Sequence, residues 1–265
     1  MKIKEIVSAL ERFAPLPLQD GFDNAGLQIG LTEAEATGAL LCLDVTEAVL
    51  DEAIALGHNL VISHHPLIFK GYKSITGKDY VERCILKAIK NDIVIYSAHT
   101  NLDNAYGGVN YKIAEKIGLK NLQVLEPKEN SLQDDLMQAG AGIVGELDEP
   151  ETELEFLKRI KKTFEVGCVR HNRLTGREIQ KVALCGGAGA FLLPQAIRAG
   201  ADVFITGEIK YHDYFGHEGD ILMAEIGHYE SEQYTKEIFY SIIRDLFPNF
   251  ALQSSKINTN PIKYL

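Results

Sequence analysis

Three pairs of side chains in this sequence have the types and spacing of metal ligands. His64 and His65 are adjacent, directly after the apolar run NLVIS and just before Pro66. Successive residues leaving a strand point in different directions. Two adjacent imidazoles therefore do not easily chelate one ion, but they suit two ions a few ångströms apart; otherwise they are ordinary loop histidines. His99 is followed four residues later by Asp103, which is either an oxygen ligand for a divalent cation or an Asx-turn residue holding the loop TNLDNAYGGVN. His228 precedes Glu232 by the same interval. At that spacing both share a helix face, and a glutamate with two oxygens can bridge two metals. The same pair also reads as a solvent-facing i,i+4 pair.

Taken together, His64, His65, Asp103, His228 and Glu232 form a nitrogen and oxygen donor set that suits Zn, Mn, Fe, Co or Ni without choosing among them. Two such ions, about 3.5–4 Å apart, would activate a bridging water and steady developing negative charge. His99 then serves as a proton shuttle or as a donor behind a ligand. A second set, Glu208, Lys210, His212 and His217, lies in TGEIKYHDYFGH. There Lys210 can meet a phosphate and His212 can face a cleft, or the segment is a solvated loop. The glycine-rich turn from Gly186 to Ala190 can approach a phosphate, but it fits neither the dinucleotide fingerprint nor the P-loop.

These residues need elements to hold them. Ile3, Ile6, Val7, Leu10 and Phe13 recur at helical spacing, and Pro15 and Pro17 end that helix. From Ala39 the chain alternates. ALLCLDV, NLVIS and DIVIYSA read as buried strands. Thr46 to Gly57, residues 79–91 and the segment from Val109 read as helices. Residues 126–150, with Pro127, Pro150 and several glycines, read as the connection to a second half. Beyond it come a helix over 151–165, strands VALCGG, ADVFITG and DILMAEIG, a helix delayed or kinked by Pro194, and a long helix from about Tyr229 to Leu246. The residues from about Ser254 read as a tail or an edge segment. Such alternation predicts an α/β fold with mostly parallel sheets.

The two halves also resemble each other. At a constant offset of 143 residues Cys42 meets Cys185, Gly57 meets Gly200 and Ser63 meets Thr206. With one inserted residue, DIVIYSAHTNLD matches DILMAEIGHYESE, so His99 and Asp103 fall opposite His228 and Glu232. This predicts two pseudo-symmetric α/β lobes whose polar strand ends carry the ligands, as expected where α/β sheets bind at the carboxyl ends of strands.

Composition narrows the function classes. The chain has 265 residues, 46% of them hydrophobic and 24% charged, so it can bury a sizeable core. Its 37 acidic and 27 basic residues give a net charge of −10, which disfavours nucleic acid and anionic membranes as partners. No apolar run reaches the roughly 18 residues of a membrane span, and the N-terminus lacks the apolar stretch of a signal peptide. Cys42, Cys84, Cys168 and Cys185 are far apart, which suits reduced thiols in the cytoplasm.

Seven motifs in order carry a family resemblance: DNAGLQIG (23–30), ISHHPLIF (62–69), HTNLDNAYGGVN (99–110), GIVGEL (142–147), CGGAGA (185–190), DVFITGEIKYHD (202–213) and GHYESE (227–232). With them the chain resembles the GTP cyclohydrolase I type 2 homologs, also called the NIF-three-like family. The resemblance implies a NIF-three-like fold of two lobes, here 1–125 and 126–265. Its last helix, about 229–246, would return ligands to a shared metal cleft. It implies two divalent metal ions per chain, His65 and Asp103 on one, His64 and His228 on the other, with Glu232 as the bridge. It implies a ring-shaped homohexamer. The family name points to a metal-dependent hydrolase in which metal-bound hydroxide opens the guanine ring of GTP and releases formate, with Glu232 and His99 as catalytic residues. The same site would also serve a phosphohydrolase acting on nucleotides or nucleic acid, or a non-enzymatic metal-binding partner protein. Two departures stand out. Phe22 replaces the family's usual Trp, and residues 126–142 are too few for the inserted third domain of many relatives.

Overall fold

The computed structural model of the chain describes residues 1–128, 139–217 and 219–265. In chain order its elements begin with helix α1 (Ile3–Phe13), strands β1 (Gly26–Ile29) and β2 (Ala39–Cys42), helix α2 (Glu47–Leu56), strand β3 (Leu60–Ser63), helix α3 (Tyr80–Lys90) and strand β4 (Val94–Ser97). Helices α4 (Thr100–Asn104) and α5 (Val109–Ile117), strands β5 (Lys120–Pro127) and β6 (Gly140–Thr152), helix α6 (Glu153–Thr163), and strands β7 (Arg170–His171) and β8 (Glu178–Cys185) follow. The chain continues through α7 (Leu193–Arg198), β9 (Val203–Thr206), β10 (Leu222–Glu225), α8 (His228–Glu232) and α9 (Thr235–Leu246) to β11 (Leu252–Ser254).

Local chemistry sets the ends of several of these. Thr46 caps α2 by accepting a hydrogen bond from the Val49 amide, and Gly57 closes the helix with a left-handed φ of 68°. Asp79 caps α3 in the same way through the Glu82 amide. Thr152 and Glu155 form a reciprocal capping box on α6.

The chain divides into two compact units. The first comprises Met1–Leu102 and Thr235–Pro261. Its sheet runs β1-β4-β3-β2-β11, with β4, β3, β2 and β11 parallel and β1 antiparallel at the edge. Leu40, Val61 and Ile95 of the sheet are buried against Val49, Leu50 and Ala53 of α2 and Cys84, Ile85 and Ala88 of α3. The second unit comprises Asp103–Tyr234 and Ile262–Leu265. Its sheet runs β5-β6-β8-β9-β10-β7, a parallel centre β8-β9-β10 flanked by antiparallel strands. Ala183, Phe204 and Met223 are buried there with Leu192, Leu193 and Ala196.

The internal repeat appears in the strand register. Cys42 pairs with Ser63 across β2 and β3, and Cys185 pairs with Thr206 across β8 and β9. Ser63 then pairs with Ser97, as Thr206 pairs with Glu225.

Three local expectations change. The segment read as a connection is largely sheet: β5 and β6 pair antiparallel, Pro127 opposite Gly140. Gly140 has φ 156°, and a Cβ there would overlap the Glu126 carbonyl, so this glycine permits close strand approach rather than marking a loop. Residues 129–138 of that segment lie outside the described residues. The single long helix becomes α8 and α9, because the chain turns at Gln233 and Tyr234, whose side chains donate to the carbonyls of Phe164 and Thr163. The compact units also divide after Leu102 rather than after residue 125. α9 buries Ile238, Phe239 and Ile243 and packs on α1 and β2, while β11 pairs with β2, so the C-terminal segment completes the first unit.

All four cysteines are thiols, with Cys42, Cys84 and Cys185 buried. Among the described residues no helix is long and apolar enough to cross a membrane.

Candidate metal centre

In the first unit, β3 ends at Ser63 and the next two residues are the adjacent histidines. The chain stays tied to β2 there, since the amides of His64 and His65 donate to the carbonyls of Cys42 and Leu43. His64 is fully buried. Its Nδ1 lies 2.9 Å from the Ala98 carbonyl. The His65 Nδ1 lies 2.8 Å from Asp44 Oδ1, and the His99 Nδ1 lies 2.8 Å from Asp23 Oδ1. Carbonyls and carboxylates only accept, so each Nδ1 carries the hydrogen and each neutral ring has its lone pair on Nε2. That is the tautomer a metal-ligating imidazole needs, and a carboxylate or carbonyl on the other nitrogen is its usual support. Ligand atoms of His64, His65 and His99 all lie within 4.8 Å of one another.

The supporting carboxylates are held firmly. Burial alone would raise the Asp23 carboxyl, but hydrogen bonds from His99 and Thr100 bring it down to about 2. Burial likewise works against ionised Asp44. His65 and Thr259 hydrogen-bond to that carboxylate and keep it below its ordinary range.

In the second unit, β9 ends at Thr206, followed by Gly207 and Glu208, and α8 opens at His228. The His228 Nδ1 lies 2.8 Å from Glu208 Oε1, the kind of support that Asp44 and Asp23 give in the first unit. Its Nε2 lies 3.2 Å from Glu232 Oε2, so the i,i+4 pair turns inward instead of facing solvent. Glu232 is only 3% exposed. The glycine-rich turn makes room for it: a Cβ on Gly187, whose φ is 58°, would overlap Glu232 Oε1. Asp103 stands in α4, where a short helix replaces the expected loop, and its backbone carbonyl accepts from Asn110.

The glycine-rich turn itself is not arranged for phosphate. Its amides at Gly186, Gly187 and Gly189 donate to Asn110 Oδ1, Ser231 Oγ and Thr206 Oγ1. Lys210, His212 and His217 line one cavity of about 550 Å³ with Glu208.

Two of the carboxylates that support these histidines are not among the residues the sequence singles out. Asp44 and Asp23 carry no local signal, although Asp44 follows β2 at the same sheet end as His64 follows β3. Glu208 is visible in the sequence, but as part of the lysine and histidine set rather than as the partner of His228.

Residues 1–261 match the family described as Duf34/NIF3 (NGG1p interacting factor 3). A Clostridium perfringens protein named GTP cyclohydrolase 1 type 2 homolog is 38% identical over 235 residues, covering 88% of this chain and 87% of that protein. A Lactococcus lactis protein of the same name is 34% identical over 271 residues, with 98% of each covered. The crystal structure of a Bacillus cereus protein related to NIF3 superimposes with a TM-score of 0.90 at 27% identity, covering 100% of this chain and 99% of that one.

Proposed function

Since the chain belongs to the Duf34/NIF3 family, we propose that it holds two divalent metal ions and acts as a metal-dependent hydrolase. His65 and Asp103 would hold one ion and His64 and His228 the other, with Glu232 shared between the two. The observation that carries this reading is the matched orientation of the three ligand histidines. His64, His65 and His228 each direct Nδ1 to a carbonyl or carboxylate, which leaves Nε2 as the nitrogen for a metal.

Bound divalent ions supply Lewis acidity, acidifying a water and steadying negative charge on a substrate oxygen. The chain's own residues do the rest. Asp44 and Glu208 hold the rings of His65 and His228, and His99, oriented by Asp23, moves protons at its Nε2. The substrate proposed is GTP, opened hydrolytically at the guanine ring with release of formate, in keeping with the names of the relatives. The ring-shaped homohexamer and the cytoplasmic setting belong to the same proposal.

Formate production from GTP tests it. Wild type is expected to form formate, a chelator to stop it, added metal to restore it, and Glu232→Gln to abolish it. Formate output unchanged in Glu232→Gln, or no formate from metal-loaded wild type, would overturn the proposed reaction.

A further inference from the structure

A second cavity in the same unit contains none of the proposed metal ligands. It has a volume of about 580 Å³, within the range of small-molecule sites. Its walls combine a basic strand edge, Arg170, His171 and Arg173, with the aromatic side chains Tyr211, Tyr214 and Phe215.

Part of this wall is fixed in advance. Arg170 Nη1 pairs with Glu225 Oε1 at 2.7 Å, and the Tyr214 hydroxyl donates to Glu225 Oε2 at 3.2 Å. The Arg170 guanidinium therefore sits over the Tyr214 ring, 5.8 Å from its centroid. Asn172 is pinned to β10 and its approach, donating to the Ile221 carbonyl and accepting from the Met223 amide. Groups held this way lose little freedom when a ligand arrives.

The rest of the wall is open. Tyr211 and Phe215 are 69% and 56% exposed, with ring centroids 5.4 Å apart. Large rings left uncovered at a cavity mouth offer stacking surface to a planar ligand. Glu225 compensates Arg170, whereas no carboxylate among the described residues pairs with Arg173. The cavity thus offers aromatic faces beside an uncompensated guanidinium, and no acidic side chain lines it. Planar rings bearing an anionic group match both features, the guanidinium taking the anion through paired N–H donors.

We propose that this cavity is a binding site, separate from the metal centre, for a planar aromatic ring carrying one phosphate or carboxylate group. The cation and the rings act together, so neither the uncharged ring nor the bare anion binds as well as the two joined.

Isothermal titration of the intact protein tests this, with GMP and 4-hydroxybenzoate as the phosphate and carboxylate probes and guanosine and inorganic phosphate as the separated parts. Each is titrated into metal-loaded and chelator-treated protein. At least one joined probe is expected to bind in both preparations, more tightly than guanosine or phosphate, and the tighter of the two identifies the anionic group. Arg173→Ala and Tyr211→Ala should each weaken that binding by about tenfold or more, with metal content and melting temperature unchanged. Arg173→Lys should lose less, because it keeps the charge without the fork. Binding of neither joined probe at millimolar concentration would overturn the proposal. So would binding insensitive to both alanine variants, or binding of a joined probe that requires metal. The metal reading stands or falls separately, on metal content alone.

Discussion

At the scale of single residues, the site is a matter of which ring nitrogen each histidine offers. Asp44 decides this for His65 by accepting from its Nδ1, while its second oxygen accepts from Thr259, 215 positions along the chain. Replacing Asp44 with Asn removes the charge and lets the amide present a donor instead. Metal affinity in Asp44→Asn should fall by about 10–100-fold, measured by competition with a chromophoric chelator, while the thermal unfolding midpoint stays near that of wild type. The histidines were legible in the sequence because apolar strands end abruptly in them, as NLVIS runs into His64 and His65. Asp44 was not, because only the pairing of β2 with β3 brings its end of the chain to theirs.

At the scale of elements, two buried glutamates meet the loops beside their helices. Gly187 lets the strand-to-helix turn pass Glu232, so Gly187→Ala would both strain a φ of 58° and displace the carboxylate. Metal bound per chain should drop in that variant while the circular dichroism spectrum retains its α/β form. Buried Glu82 does comparable structural work for α3, accepting from the amides of Thr76 and Lys78 and from the Thr76 hydroxyl. Burial pushes its carboxyl up, but these hydrogen bonds outweigh that and bring it from 4.5 to about 2. A folded-state value below the unfolded one means the stabilisation is complete above about pH 4.5 and lost as pH falls toward 2. Glu82→Gln should therefore unfold at lower urea concentration than wild type at pH 7, and the gap should shrink between pH 4.5 and 2. Strand and helix types were legible here wherever apolar runs were short and capped, as at Thr46 and Gly57. The β5–β6 pair was not, because Pro127 and Gly140 look like loop residues until their strands are paired.

At the scale of the whole molecule, the strand register repeats between the two halves. Serine or threonine ends β3 and β9 at the same register, and histidine with a carboxylate four residues on follows both β4 and β10. This much was legible from the 143-residue offset alone. The unit boundary was not, because the partner of α9's apolar face is α1 at the far end of the sequence, and no local pattern names it. If the proposed homohexamer is right, light scattering after size exclusion should give six chains of 29.4 kDa at micromolar concentration, and a monomer mass there would contradict it.

The proposal tested most directly by binding is that His64, His65, Asp103, His228 and Glu232 hold two metal ions. Its most direct test is the metal content per chain, by mass spectrometry, of wild type, His65→Ala from the first unit and His228→Ala from the second. Wild type should carry about two ions per chain and each variant clearly fewer, with all three folded. Wild type that binds no metal even after supplementation, or variants that keep the full complement, would contradict the account.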